Sequence, residues 1–250
     1  MNGNPTLAQR YQAVKARIER AATAAGRAPG SVRLLAVGKS FSAGSIGELA
    51  ALGQDAFGEN YLQEALAKQA ALAHLRADAP FGASAIEWHF IGPIQSNKTR
   101  KIAEAFDWVQ SVDQERIARR LSEQRPPALP PLQVCLQVNV SGEASKSGCS
   151  PSEVVPLAQA MAAMPGIRLR GLMAIPEPTD DAALQASRFA HLRRLLDEVR
   201  QGLAESALPG ADQLDTLSMG MSADLETAIA EGATIVRVGS ALFGERSAKG

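Results

Sequence analysis

Residues 33–41 read RLLAVGKSF, a short apolar run that ends on Gly38 and Lys39 and passes straight into a polar turn. A run of this length and composition predicts a strand buried on both faces, as in a parallel sheet. The turn behind it separates two folds. An open, doubly wound sheet carries a GxGxxG loop after its first strand, and Val37-Gly38-Lys39-Ser40-Phe41 contains none. Outward from this stretch, seven more runs of the same kind begin near Asp55, Glu87, Trp108, Leu132, Ile167, Asp215 and Thr234. Helical periodicity follows the first seven strands, at 46–52, 61–75, 97–106, 115–123, 153–164, 182–203 and 223–231, and a short run at 241–246 follows the eighth. Eight βα units in 250 residues predict an α/β fold, a single (β/α)8 TIM barrel with little insertion. Asn4 and Pro5 are suited to the N-cap and first position of an extra N-terminal helix over 7–25, closed by Gly26 and placed to cover the barrel floor. The proline-rich stretch 125–131 (RPPALPP) reads as a connection into the fifth strand. A boundary there would leave two half-barrels without a closed core, so residues 1–250 are expected to form one domain.

Charge and composition remove several function classes. The 26 basic and 26 acidic residues balance, which disfavours nucleic-acid binding driven by a basic field. No run of ~18 apolar residues and no signal-peptide pattern occurs, so membrane insertion and secretion are not expected and a cytoplasmic location is. Cys135 and Cys149 form no CxxC and no metal-like pairing with His74, His89 or His191. A reduced protein without a structural metal is the expectation.

In a barrel, reactive groups sit at the C-terminal ends of the strands. Lys39 is at such an end, beside Gly38. Such a lysine is either a solvated surface charge or, when desolvated by its neighbours, an amine able to attack a carbonyl. Ser218-Met219-Gly220-Met221-Ser222 leaves the seventh strand and leads into Ala223-Asp224-Leu225-Glu226. Small residues at a helix start suit a phosphate, although Ser222 with Glu226 also reads as an ordinary cap. After the eighth strand, Gly239 and Ser240 open a second loop of the same kind. The loops after strands seven and eight form the recurrent phosphate site of this fold. Within the eighth strand, Arg237 is expected to be buried and therefore paired or hydrogen-bonded. Closure of the barrel would bring it beside Lys39. An amine, a phosphate cradle and a cation match the aldehyde, phosphate and ring nitrogen of pyridoxal 5′-phosphate (PLP).

Seven blocks carry a wider likeness: LLAVGKSF (34–41), FGENYLQE (57–64), WHFIGPIQSNK (88–98), SKSG (145–148), GLMAIPEP (171–178), LSMGMSADLETAI (217–229) and VRVGSALFG (236–244). In this order the sequence resembles the YggS/PROSC family of pyridoxal phosphate homeostasis proteins. The resemblance implies a barrel like the N-terminal domain of alanine racemase, PLP as cofactor and no established catalytic reaction. It implies that Lys39 carries PLP as an aldimine, that Ser218, Gly220, Ser222, Gly239 and Ser240 bind the phosphate, that Arg237 meets the pyridine nitrogen, and that Asn60 lies close by. Family members commonly carry Ser or Thr before the lysine, where this chain has Gly38. His89, mid-strand between Trp88 and Phe90, reads as a hydrogen-bonded core histidine or a titrating group near the cofactor. Ser96 reads as an N-cap, and Lys98 and Lys146 as solvated cations or aids to anion retention.

An arginine at the ring nitrogen cannot accept its proton, so the ring is a weaker electron sink than with an aspartate partner. By the resemblance, alanine racemases add a tyrosine from a second domain as their other base. This chain stops at Gly250, close behind its last barrel element, and only Tyr61 lies near a strand end. An open site without that domain suits a protein that stores PLP and hands it to apo-enzymes, expected as a monomer. The alternatives are a small PLP-dependent amino-acid racemase or lyase and, independently of the resemblance, a Schiff-base aldolase acting on a phosphorylated substrate.

Overall fold

The computed structural model describes residues 4–73, 86–143 and 147–244. Eight strands close a parallel barrel in chain order: β1 (Arg33–Val37), β2 (Ala56–Glu59), β3 (Glu87–Phe90), β4 (Trp108–Val112), β5 (Leu132–Gln137), β6 (Ile167–Met173), β7 (Thr216–Ser218) and β8 (Ile235–Val238). Closure pairs β1 with β8 and sets Leu35 opposite Arg237. The helices are α1 (Leu7–Ala24), α2 (Ala43–Ala51), α3 (Leu62–Ala71), α4 (Thr99–Ala105), α5 (Glu115–Gln124), α6 (Val154–Ala162), α7 (Ala182–Glu205), α8 (Leu225–Ala230) and α9 (Ser240–Phe243). Among the described residues, no helix is long and apolar enough to cross a membrane.

Alternation along each strand divides the core in two. Leu34 and Ala36 of β1 face the shell of helices, whereas Leu35 and Val37 join Ala56, Ile91 and Ile235 in a separate cluster inside the barrel. Trp108, Cys135 and Met173 form a second interior cluster. The intervening interior positions of β3, β4, β7 and β8 are polar, and all four are buried: His89, Gln110, Ser218 and Arg237.

The first helix differs from expectation at both its start and its place. Thr6 is the N-cap, not Asn4. Its hydroxyl accepts from the Gln9 N–H, and the Gln9 side chain accepts from the Thr6 N–H at 2.8 Å, completing a capping box. The helix buries Leu7, Tyr11, Val14, Ile18 and Ala22 on one stripe. It packs against α8, α9 and α2 in the outer ring rather than across the floor. Among the described residues α9 is four residues long, and α1 packs directly against it.

Candidate functional site

A cavity of about 350 Å³ opens at the C-terminal ends of the strands. Lys39, Asn60, Ser222, Arg237, Gly239 and Ser240 all line it, so the structure brings six of the expected residues together. Its wall carries two cations, Lys39 and Arg237, and no carboxylate among the described residues. The N–H groups of Ser222, Ala223 and Ser240 find no acceptor among the described residues, and all three line the cavity. Asn60 Oδ1 is buried without a partner.

Lys39 is half-buried at the tip of a turn in which the Phe41 N–H donates to Gly38 O at 3.0 Å. The peptides on either side of Lys39 are held from below. Lys68, on α3, donates to Gly38 O at 2.7 Å, and the Ser40 N–H donates to Glu64 Oε1 at 2.6 Å. The same Lys68 ammonium donates to Glu59 and Glu64 at 2.7 and 2.6 Å. Glu59 is wholly buried and one of its oxygens lacks a partner. Burial outweighs the pull of Lys68 and pushes its carboxyl up to about 7. Gly38 fits this arrangement, because a Cβ there would lie 2.5 Å from Ile46 and 2.7 Å from Glu59 Oε1. Phe41 continues the turn by stacking on Phe243 of α9, with ring centroids 4.5 Å apart.

Arg237 is 3% exposed. Its Nη1 donates to Ser218 O and Ser218 Oγ, both at 2.7 Å, and its Nη2 to Ala174 O at 2.8 Å. Three of the five guanidinium N–H groups are thus engaged, and two remain for the cavity side. Desolvation lowers its pKa to about 10, which still leaves it charged at neutral pH.

Two residues of the expected phosphate cradle, Ser218 and Gly220, are not on the cavity wall. Ser218 is wholly buried and its hydroxyl donates to Gln110 Oε1 at 2.7 Å, inside the barrel and off the cavity wall. Gly220 takes φ +90° and packs a missing Cβ 2.5 Å from Ala228, so it shapes the β7 loop from beneath. Ser222 is not the cap of α8. Asp224 holds that place, and its side chain accepts from the Met221 N–H at 2.5 Å. The β7 loop is tied instead to α1, where Arg17 donates to Ser222 O at 2.7 Å and pairs with Glu226.

His89 is the expected core histidine. It is wholly buried, with one ring nitrogen 2.7 Å from Glu87 Oε1 and the other 2.9 Å from Gln110 Nε2. Ser96 opens a 3-10 turn over Ser96–Lys98 whose N-cap is Gln95. Lys98 and Tyr61 line a neighbouring cavity that shares Asn60 with the first. Lys146 and residues 245–246 of the last helical run lie outside the described residues. Sequence reasoning missed Glu59, Glu64, Lys68, Gln110 and Arg17. Only the i,i+4 spacing of Glu64 and Lys68 was a local signal.

The sequence family described as "Alanine racemase, N-terminal domain" matches residues 10–247. A pyridoxal phosphate homeostasis protein of Pseudomonas aeruginosa is 59% identical over 241 residues, covering 96% of each chain. That of Escherichia coli (strain K12) is 46% identical over 240 residues, covering 96% of this chain and 97% of its own. Among solved structures, PipY of Synechococcus elongatus PCC7942 with PLP bound is 36% identical, with a TM-score of 0.79 over 96% of this chain and 100% of that one. Alanine racemase of Corynebacterium glutamicum shares the fold at 20% identity and a TM-score of 0.63, over 96% of this chain and 62% of its own.

Proposed function

We infer the function of this chain from the family to which it belongs, the pyridoxal phosphate homeostasis proteins built on the alanine racemase N-terminal domain. It binds PLP and serves the homeostasis of that cofactor. When bound, PLP supplies an aldehyde that condenses with a primary amine, a phosphate anion and a pyridine nitrogen. The cavity residues suit each part. Lys39 offers the amine. Ser222 and Ser240, with the free N–H groups of their loops, offer donors to the phosphate, and Gly239 lines the same wall. Arg237 faces the ring nitrogen with N–H groups to spare. As a donor it keeps that nitrogen unprotonated. Asn60 Oδ1, buried and unpartnered, is a polar atom still lacking its contact. In this reading Ser218 and Gly220 serve the site indirectly, by holding Arg237 and shaping the β7 loop.

One observation carries the assignment: β1 and β8 are neighbours, so Lys39 and Arg237 share a cavity with both serine-bearing loops, and no acid lines it among the described residues. The same wall favours holding the cofactor over turning over amino acids. Among the described residues it offers no second acid or base besides Lys39 and Arg237, and Tyr61 is 58% exposed in the neighbouring cavity. The reading extends to a cytoplasmic monomer of one domain that releases PLP to apo-enzymes.

The test is an absorbance spectrum of the purified protein with added PLP. The wild type should show the visible band of lysine-linked PLP and Lys39→Ala should not. A wild-type protein that takes up no PLP overturns the assignment. Sustained α-proton exchange of amino acids in deuterated water would instead favour a racemase or lyase.

A further inference from the structure

His89 and Gln110 form no part of the cavity wall, yet both are wholly buried and engaged at both ends. They complete a chain that crosses the barrel interior from Arg237 to Glu87. The two ends of this chain have fixed roles. Arg237 can only donate hydrogen bonds, and an ionised carboxylate can only accept them. Glu87 is held ionised: burial opposes its charge, but the hydrogen bond from His89 and the Arg33 guanidinium, whose Nη1 lies 2.5 Å from Glu87 Oε1, favour the carboxylate and keep its pKa low.

These ends set the protons between them. Arg237 donates to Ser218 Oγ, Ser218 Oγ–H to Gln110 Oε1, Gln110 Nε2–H to His89 Nδ1, and His89 Nε2–H to Glu87. In this order every group is satisfied and His89 is neutral, protonated on Nε2. Reversing the amide of Gln110 would require a second buried cation on His89 and leave the Ser218 hydroxyl proton without an acceptor in the chain. Burial also lowers the proton affinity of His89, against the pull of Glu87 and Asp107 and together with the repulsion of Arg33. Trp108 stacks on its ring at 5.2 Å.

The dipoles of Ser218, Gln110 and His89 consequently point one way, negative ends toward Arg237 and positive ends toward Glu87. Arg237 has no carboxylate within its hydrogen bonds, and of the acids facing it Asp224 acts only at longer range. The aligned chain solvates a buried cation at one end and a buried anion at the other. We propose that Ser218, Gln110, His89 and Glu87 form a hydrogen-bonded relay that positions Arg237 for the pyridine nitrogen of PLP, with Gln110 and His89 as positioning residues. The proposal rests on the reading of the site given above.

Two measurements test it. In the ligand-free protein, the ¹⁵N spectrum of the His89 imidazole should show protonated Nε2 and unprotonated Nδ1 through roughly pH 5–8, where an ordinary histidine titrates. Gln110→Glu, which keeps the shape but places an acceptor at Nδ1, should convert His89 to the cation at neutral pH. A wild-type His89 that is cationic there or protonated on Nδ1 overturns the relay. With PLP added, Ser218→Ala and Gln110→Leu should each weaken retention about 3- to 10-fold and shift the visible band. The double variant should be no worse than the more severe single, because both break one chain. Additive losses, or an unmoved band in both single variants, overturn the link to Arg237. Gln110→Met, which also removes the acceptor of the Ser218 hydroxyl, supplies the same readout if Gln110→Leu does not fold. A wild type that takes up no PLP instead defeats the reading of the site, while the imidazole spectrum still decides whether the relay exists.

Discussion

Lys39 is gripped through its neighbours. Lys68 and Glu64 hold the carbonyl before it and the N–H after it, and Ser40 is kept at φ +67°, a conformation that L residues seldom adopt. Lys68→Met would remove the ammonium and leave Gly38 O and the side chains of Glu59 and Glu64 without the donor they share below the turn. The expected result is a loss of about 3 kcal/mol of stability and slower attachment of PLP at Lys39, read by borohydride trapping and mass spectrometry of the Lys39 peptide. Attachment at the wild-type rate would show that the turn holds itself. The phosphate loops call for a graded effect. Ser222→Ala or Ser240→Ala should each speed PLP loss about tenfold, one charge-assisted hydrogen bond, while the visible band still forms. Dissociation rates unchanged in both would place the phosphate elsewhere. The sequence made some of these residues legible and hid others for definite reasons. Lys39, Ser222 and Ser240 could be found because position behind a strand end is a local property, and Arg237 because a cation within an apolar strand is one as well. Ser218 and Gly220 looked like part of the same cradle, but strand alternation turns one hydroxyl inward and a close approach puts the glycine under the loop. Lys68 and Gln110 acquire meaning only from the strands beside them, which no local pattern states.

Elements were more legible than their ends. All eight strands begin within about one residue of their expected positions, because short β-branched runs buried on both faces leave few other choices. Helix starts moved more. The second helix begins at Ala43 rather than at 46, because the Ser42 hydroxyl accepts from the Ser45 N–H and draws in a turn poor in apolar residues. The largest departure is the location of α1, which the local pattern describes only as an amphipathic helix. In the ring it acquires a second task. Arg17 binds the carbonyl of Ser222, and Arg10 donates to Leu242 O at 2.6 Å at the C-terminal end of α9. An element with no residue in the cavity thereby steadies both loops proposed to hold the phosphate. Arg17→Ala should accelerate PLP loss roughly 3- to 10-fold, the worth of one ordinary hydrogen bond, with the position of the visible band unaltered because Lys39 and Arg237 are untouched. Stopped-flow transfer of PLP to an excess of a scavenging amine measures this. A variant with the wild-type loss rate would confine α1 to packing.

At the scale of the whole molecule, ionisable groups buried inside the barrel and between β2 and α3 make global stability depend on pH in opposing directions. Glu59, pushed up to about 7 from an ordinary 4.5, stays protonated in the folded state after the unfolded chain has released its proton. Between those values the folded state binds more protons, so stability falls as pH rises, by at most ~3 kcal/mol. His89 acts oppositely: its folded pKa is depressed, so stability rises as pH climbs toward the ordinary value of 6.5. Glu87, whose folded pKa is lowered by Arg33 and the hydrogen bond from His89, contributes stability that is complete above 4.5 and lost as pH falls through its folded value. Because the Glu59 and His89 contributions overlap, the wild-type profile alone does not isolate either. The informative quantity is the difference between wild type and Glu59→Gln, in which the amide stands in for the protonated acid. Urea unfolding of ligand-free protein at about pH 5 and about pH 7.5 should show the variant gaining on the wild type by up to ~3 kcal/mol between the two. A difference that does not change with pH would mean that Glu59 is ionised in the folded protein at pH 5 as well. The Lys68 ammonium would then outweigh burial, and the pocket beneath Lys39 would hold a permanent salt bridge rather than a proton.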